Sequence, residues 1–242
     1  MTLDSRGLVD LTSHWLWYVS IYASLCLLYI AVGKRIPIKL VQGLLKCAPI
    51  IFLISTCVPI LLRFGRGPVG HVELTKQFER ALFGLIFSCI GDFYLVFDSF
   101  FIHGIASFAI AQTIYIFLFH GHMLISLSPS YNELIVAIGI ALISLFFYSY
   151  LFPKFSRILA ISLAGYCILI SLMLWSSFAQ MLHSHNDSTV MGAIGAGMFY
   201  TSDLLLGVNR WRIKIPFGLE LVMITYYTAQ ILIFWSQVTF FV

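Results

Sequence analysis

Charge is scarce in this sequence. Fourteen Lys and Arg with ten Asp and Glu make up 10% of 242 residues, where soluble domains carry about 25%. Too few charges remain to clothe a water-facing surface, which excludes a soluble enzyme and a disordered chain. The cations are scattered and the formal net charge is only +4, so no strip exists that would track a phosphate backbone; no nucleic-acid partner is expected. Cysteine is sparse as well. Cys26, Cys47, Cys57, Cys89 and Cys167 all lie in apolar stretches without a C-x-x-C pair, and read as small core residues rather than a disulfide frame. A G-x-S-x-G elbow is missing, which disfavours an ordinary serine lipase. Asp4, Arg6 and Asp10 precede a long apolar run that has no small-residue cleavage site, so the first helix reads as an uncleaved anchor.

What is abundant is apolar: 60% of residues are hydrophobic and 16% aromatic. The expected fold is all-α, a polytopic transmembrane helical bundle of about eight spans. A span takes about 20 apolar residues. Loop residues and charges divide the chain into an N-terminal tail, 1–14, and one transmembrane domain, 15–242. Its spans fall near 15–32, 40–62, 81–97, 101–119, 133–151, 157–180, 190–208 and 217–240, with one sizeable loop from Arg63 to Arg80. Trp15, Trp17 and Trp211 read as interfacial anchors. With an even count both termini share one face, A. The opposite face, B, receives Lys34, Arg35, Lys39, Lys154, Arg157, Arg210, Arg212 and Lys214; face A receives Arg6, Arg63, Arg66, Lys76 and Arg80. The positive-inside rule favours face B in the cytosol.

The third and seventh spans resemble each other around an acid. Each has a glycine eight residues before it (Gly84 before Asp92, Gly195 before Asp203), a small residue just before it, and a leucine three after. The following spans share Ala-Gln, at Ala111-Gln112 and Ala229-Gln230. The pattern fits two four-helix halves repeated in parallel orientation.

Ionisable groups inside a bilayer are costly and mark function by default. Three fall within spans: Lys46, Asp92 and Asp203. Both acids stand five residues before the expected B end and Lys46 six residues into its span, roughly 7–9 Å deep at about 1.5 Å per residue. His103, Tyr226, Tyr227 and Gln230 lie on the same side, and Asn209, Arg210, Arg212 and Lys214 emerge at the surface beyond Asp203. The pattern is a polar pocket opening at face B with cations at its mouth, suited to a single-chain lipid. Alternatives stay open. Lys46 paired with an Asp can be structural only, and small residues such as Gly84, Ser88, Gly192, Gly195 and Ala196 serve packing seams as readily as pockets. Paired intramembrane acids also build proton-coupled transporters, although these two spans lack the mid-span Pro breaks of such sites. A lysolipid-binding receptor without turnover is a third reading. His120-Gly-His122 and His183-Ser-His185 have poor spacing for zinc; no metal and no cofactor are expected.

In order, Lys46-Cys-Ala-Pro49, Gly91-Asp92, His103-Gly104, the block Gly195-Ala-Gly-Met-Phe-Tyr-Thr-Ser202-Asp203 and Thr225-Tyr226-Tyr227-Thr-Ala-Gln230 resemble the YhhN-type lysoplasmalogenases over about residues 40 to 235. One departure is Gln112, ahead of Tyr115, where the family often has His. The resemblance implies an eight-span enzyme that hydrolyses the vinyl ether of lysoplasmalogens. Its products are a fatty aldehyde and glycerophospho-choline or -ethanolamine. Asp92 and Asp203 would be catalytic, one donating a proton and the other stabilising the cation and activating water. Lys46, His103, Asn209, Arg210, Tyr226, Tyr227 and Gln230 would bind or position substrate, with Arg210, Arg212 or Lys214 on the phosphate. It also implies a lysophospholipid substrate, contact with membrane lipid, and the endoplasmic reticulum membrane as location; the sequence leaves a homo-oligomer open.

Overall fold

The computed structural model describes residues 15–64, 72–120 and 129–239. Among the described residues it is built from eight long helices and no strand. They are α1 (Trp15–Val32), α2 (Lys39–Phe64), α3 (Val72–Leu95), α4 (Phe101–His120), α5 (Tyr131–Leu151), α6 (Arg157–Ser184), α7 (Asp187–Trp211) and α8 (Gly218–Thr239). Short 3-10 turns at Gly33–Arg35, Asp98–Phe100 and Phe152–Lys154 make the connections at one end. Seven of the helices are long and apolar enough to cross a membrane; α3 is the exception. A helix satisfies its own backbone hydrogen bonds, the condition hydrocarbon imposes on any spanning segment. The protein is a multi-pass membrane protein.

Most ends fall within a few residues of expectation, but α3 does not. The segment expected as the tail of a loop, Val72–Arg80, is helical. Its charges, Glu73, Lys76, Glu79 and Arg80, do not stop the helix because an apolar stripe runs through them: Phe78, Ala81 and Leu85 are all buried. Helix α7 begins at Asp187 and continues to Trp211, so Asp203 lies eight residues from its end, not five. Asn186 and Thr189 close a capping box at its start. The tail 1–14, Arg66 and His122 lie outside the described residues.

Between helices in lipid the hydrophobic drive is weak, so packing and interhelical hydrogen bonds carry association. Helix α7 lies along α8, α3 along α4, α2 along α3, and α4 against α6. In the α7–α8 seam the Ser188 hydroxyl donates to the Ser236 carbonyl at 2.6 Å and Ser202 to the Val222 carbonyl at 3.0 Å. The small residues there are packing residues. A Cβ on Gly192 would meet Phe119 at 3.1 Å, and one on Gly195 would meet the Ile233 backbone nitrogen at 3.0 Å. Tyr115, Phe119, Phe199, Met173 and Ile233 fill the centre. Apolar side chains of α5 and α6, such as Phe146 and Ile161, face outward to lipid. The five cysteines are free thiols.

Candidate functional site

Lys46 and Asp92 come from neighbouring helices, α2 and α3, and meet in the interior. The Lys46 ammonium stands 3.1 Å from Asp92 Oδ1. Asp92 is 1% exposed and Lys46 8%. Gly91 makes the approach of α4 possible here, since a Cβ at that position would lie 2.7 Å from the Phe108 ring. The second carboxylate oxygen accepts from the Tyr226 hydroxyl at 2.6 Å. Gln230, one helical turn further along α8, donates to the Tyr226 hydroxyl at 3.2 Å and accepts from the Tyr115 hydroxyl at 2.9 Å. Asp92 therefore terminates a chain of donors, Tyr115 to Gln230 and Gln230 to Tyr226, and also faces a cation.

Asp203 on α7 has a different environment. The Tyr166 hydroxyl of α6 donates to its Oδ2. Gln112 Nε2 on α4 donates to Tyr166 at 3.4 Å. Among the described residues Asp203 has no ion-pair partner. Each acid thus has its own Gln–Tyr pair, but only Asp92 has a lysine.

Both acids line one cavity of about 240 Å³. Lys46, Tyr226 and Ser202 line it beside them, and Lys39, Asp98 and Arg210 stand at its outer end. These last three come from the start of α2, the α3–α4 turn and the end of α7, so the cavity lies toward the end of the bundle expected as face B. Arg210 donates to Asp98 Oδ1 at 2.8 Å, and its guanidinium lies over the Phe101 ring, 4.2 Å from the centroid. A cation there is anchored yet still reachable, because the Arg210 side chain is itself one-third exposed.

The structure separates the expected substrate-binding residues into three groups. Lys46, Tyr226 and Arg210 line the cavity with both acids. Gln230 acts through Tyr226. Tyr227, Asn209 and His103 do not line it. Tyr227 is turned a helical step away, donates to the Lys46 carbonyl at 2.8 Å and receives the Tyr22 hydroxyl on its own carbonyl. Asn209 accepts from the Ile215 amide at 2.9 Å and closes the α7–α8 turn. His103 is exposed and packs its ring on Tyr94 and Phe100. Arg212 is likewise committed elsewhere, donating to the Tyr150 carbonyl and lying over the Tyr150 ring, while Lys214 is exposed. Tyr166 was not among the expected residues. Its only signal in sequence is a lone phenol in the small, aliphatic run Leu163-Ala-Gly-Tyr166-Cys-Ile.

Among the described residues no cluster of three His, Cys, Asp or Glu side chains is present. His183 faces Glu133 at 3.3 Å, and His185 ends α6 with a positive φ of 40°.

A family model described as the YhhN family matches residues 41–237. Human lysoplasmalogenase TMEM86A is 29% identical over 206 residues, 82% of this chain and 78% of that protein. The Bos taurus TMEM86A is 30% identical over the same shares, and the Sus scrofa lysoplasmalogenase TMEM86B is 31% identical over 80% of this chain and 74% of its own. No solved structure matches.

Proposed function

The chain belongs to the YhhN family, and on that premise we propose that it is a membrane-embedded lysoplasmalogenase, with Asp203 as general acid and Asp92 as the carboxylate that stabilises the cation and activates water. The relatives named lysoplasmalogenase support the reaction class. The observation that carries the mechanism is that two carboxyls in unlike surroundings line one cavity.

A vinyl ether is cleaved by protonation at the alkene carbon remote from oxygen. The alkene electron pair forms the new C–H bond and leaves an oxocarbenium ion. Water adds to that ion and loses a proton, giving a hemiacetal. The hemiacetal hydroxyl then surrenders its proton as the glycerol C–O bond breaks; the glycerol oxygen takes a proton, and the aldehyde is released. One water is consumed. The first step needs an acid and the second a carboxylate, the division of labour seen in carboxyl-pair catalysis.

The hydrogen-bond chains favour this assignment. Tyr226 donates to Asp92 because Gln230 is held with its carbonyl on Tyr115 and its amide on Tyr226. With the Lys46 ammonium on the other oxygen, Asp92 is set to remain a carboxylate. Gln112 is not held in this way, since its buried Oε1 finds no partner among the described residues. Amide O and N are interchangeable assignments. Turning Gln112 end for end puts its oxygen on Tyr166, and the chain then runs from an Asp203 carboxyl proton to Tyr166 to Gln112. With its own proton accepted by Gln112, the Tyr166 hydroxyl oxygen can accept from Asp203, so Asp203 can hold and deliver a proton. Arg210 and Lys39 are placed to meet a phosphate at the outer end. The endoplasmic reticulum membrane is part of the proposal, as expected from the eukaryotic members that this chain resembles.

The test is product analysis by mass spectrometry after incubating purified protein with lysoplasmalogen and, separately, its acyl analogue. Aldehyde from the first and no product from the second is expected. Asp92→Asn and Asp203→Asn should each lose about 10²–10⁴-fold in rate, the usual worth of positioned acid–base groups. Full aldehyde release from both variants refutes the mechanism.

A further inference from the structure

A second hollow adjoins the polar cavity and has the opposite character. About 90 Å³ of space lies between α4, α5, α6 and α7, walled by residues such as Ile105, Phe147, Leu163 and Ile170. It shares Leu95, Phe101, Phe108, Asp203 and Leu206 with the polar cavity, so Asp203 stands in the partition between them. On its other side Ser144, Tyr148 and Cys167 are common to the hollow and to a groove of about 520 Å³ between α5 and α6. That groove faces outward: its residues Leu145, Ile168 and Leu172 are 63%, 61% and 42% exposed. The hydroxyls in its wall are mutually satisfied, Ser144 bonding Ser171 at 2.7 Å and Tyr200 at 2.6 Å, which leaves an apolar surface for an occupant.

We infer that the hollow and groove hold the single hydrocarbon chain of a lipid whose headgroup lies in the polar cavity, and that this chain enters and leaves sideways between α5 and α6. The inference deepens the hydrolase reading and rests on it for the headgroup end. Direction supports the occupant. From Tyr148 back to Ala137 the groove follows α5 away from the Arg210 end for roughly 17 Å, at about 1.5 Å rise per residue. A lipid in the leaflet on that side has the same orientation, headgroup at the surface and tail toward the bilayer centre. Continuity supports it too: a chain leading from the polar cavity into the hollow must pass Asp203, which places its first carbons, the alkene, beside the proposed acid. One hollow meets Asp203, so one chain is accommodated, and the substrate class is a lipid with a single long chain. After cleavage the long-chain product stays in the apolar hollow and departs into the bilayer, while the water-soluble glycerophosphate part leaves past Arg210.

The experiment uses the full chain in lipid nanodiscs and a lysophosphatidylcholine with a diazirine at mid-chain. After irradiation, crosslinked peptides are mapped by mass spectrometry. Labels are expected on α5 and α6 around Ala141, Ala164 and Cys167. Cys167→Phe, which fills the junction of hollow and groove, should cut that labelling about tenfold or more, the scale of a mismatch in an apolar pocket. Ala164→Leu, a milder filling of the groove, should cut it in the same direction. Aldehyde release from a hexadecenyl substrate should fall in both variants by a larger factor than release from an octenyl one. Labels on α1, α2 or α8, or labelling unchanged in both variants, overturn the proposal. Labels in place on a wild-type protein that releases no aldehyde would uphold the chain site and remove the hydrolase reading.

Discussion

Replacing Lys46 by methionine separates the structural from the chemical role of the site. The side chain keeps its length and loses its charge, leaving Asp92, 1% exposed, without the cation that stands 3.1 Å away. At an effective dielectric of about 20 that attraction is on the order of 5 kcal/mol before desolvation is counted. Breaking a buried pair by removing one partner costs about 3–5 kcal/mol, because the remaining charge is uncompensated. For a chain of this size Lys46→Met should lower the thermal midpoint on the order of 10 °C. Asp92→Asn placed in the same chain removes the stranded charge and should restore most of that loss, since neutral replacement of a buried pair is often harmless. Activity should not return with it. The assay is thermal unfolding in detergent for the wild type, both single variants and the double variant, each accompanied by aldehyde release. A Lys46→Met midpoint equal to wild type would refute the buried-pair argument. A double variant that hydrolyses lysoplasmalogen at the wild-type rate would refute a chemical role for Asp92, and the pair would be structural only.

Three further outcomes are expected. Tyr166→Phe removes the hydroxyl on Asp203 and should lower kcat about ten- to a hundredfold, a hydrogen bond to an ionisable group being worth about 1.5–3 kcal/mol, with KM little changed; Gln112→His, whose ring nitrogen can still accept from Tyr166, should stay active where Gln112→Leu does not. Arg210→Gln should raise KM about tenfold for phospholipid substrates at constant kcat, and the effect should vanish with an alkenyl glycerol lacking phosphate, as steady-state kinetics on both will tell. Gly195→Val should force α7 from α8 at Ile233 and cost about 1–3 kcal/mol in unfolding measurements, whereas Gly197→Ala, with nothing within 4 Å of its new methyl group, should not.

The polar cavity was legible in the sequence to the extent that its residues are exceptions. Lys46, Asp92 and Asp203 stand out because so few charges lie within spans. Their place in the half of the bundle toward face B follows from position in the helix, although Asp92 stands three residues and Asp203 eight from the helix ends and not the equal five expected. Gln230 and Tyr226, one turn apart, could be placed on one face of α8 for the same reason. Neighbours across helices could not. His103 and Asn209 are near the right end of the bundle but turn to Tyr94 and the Ile215 amide, and the rotation of a helix about its own axis decides that. The length of α3 was misjudged because its charged start hides the buried stripe Phe78, Ala81, Leu85, which only the facing helices reveal.

By itself, then, the sequence determined the class of the protein, the number of long helices and the half of the bundle in which its acids lie. These depend on transfer of apolar residues to lipid and on the 1.5 Å rise of the helix, both local properties. Tertiary structure alone decided that Lys46 pairs with Asp92 and not with Asp203, that Tyr166 belongs to Asp203, and that Asp203 divides a polar cavity from an apolar one. Those outcomes depend on which faces of α2, α3, α6 and α7 pack together, and close packing of whole helices, not the composition of any one, sets that choice.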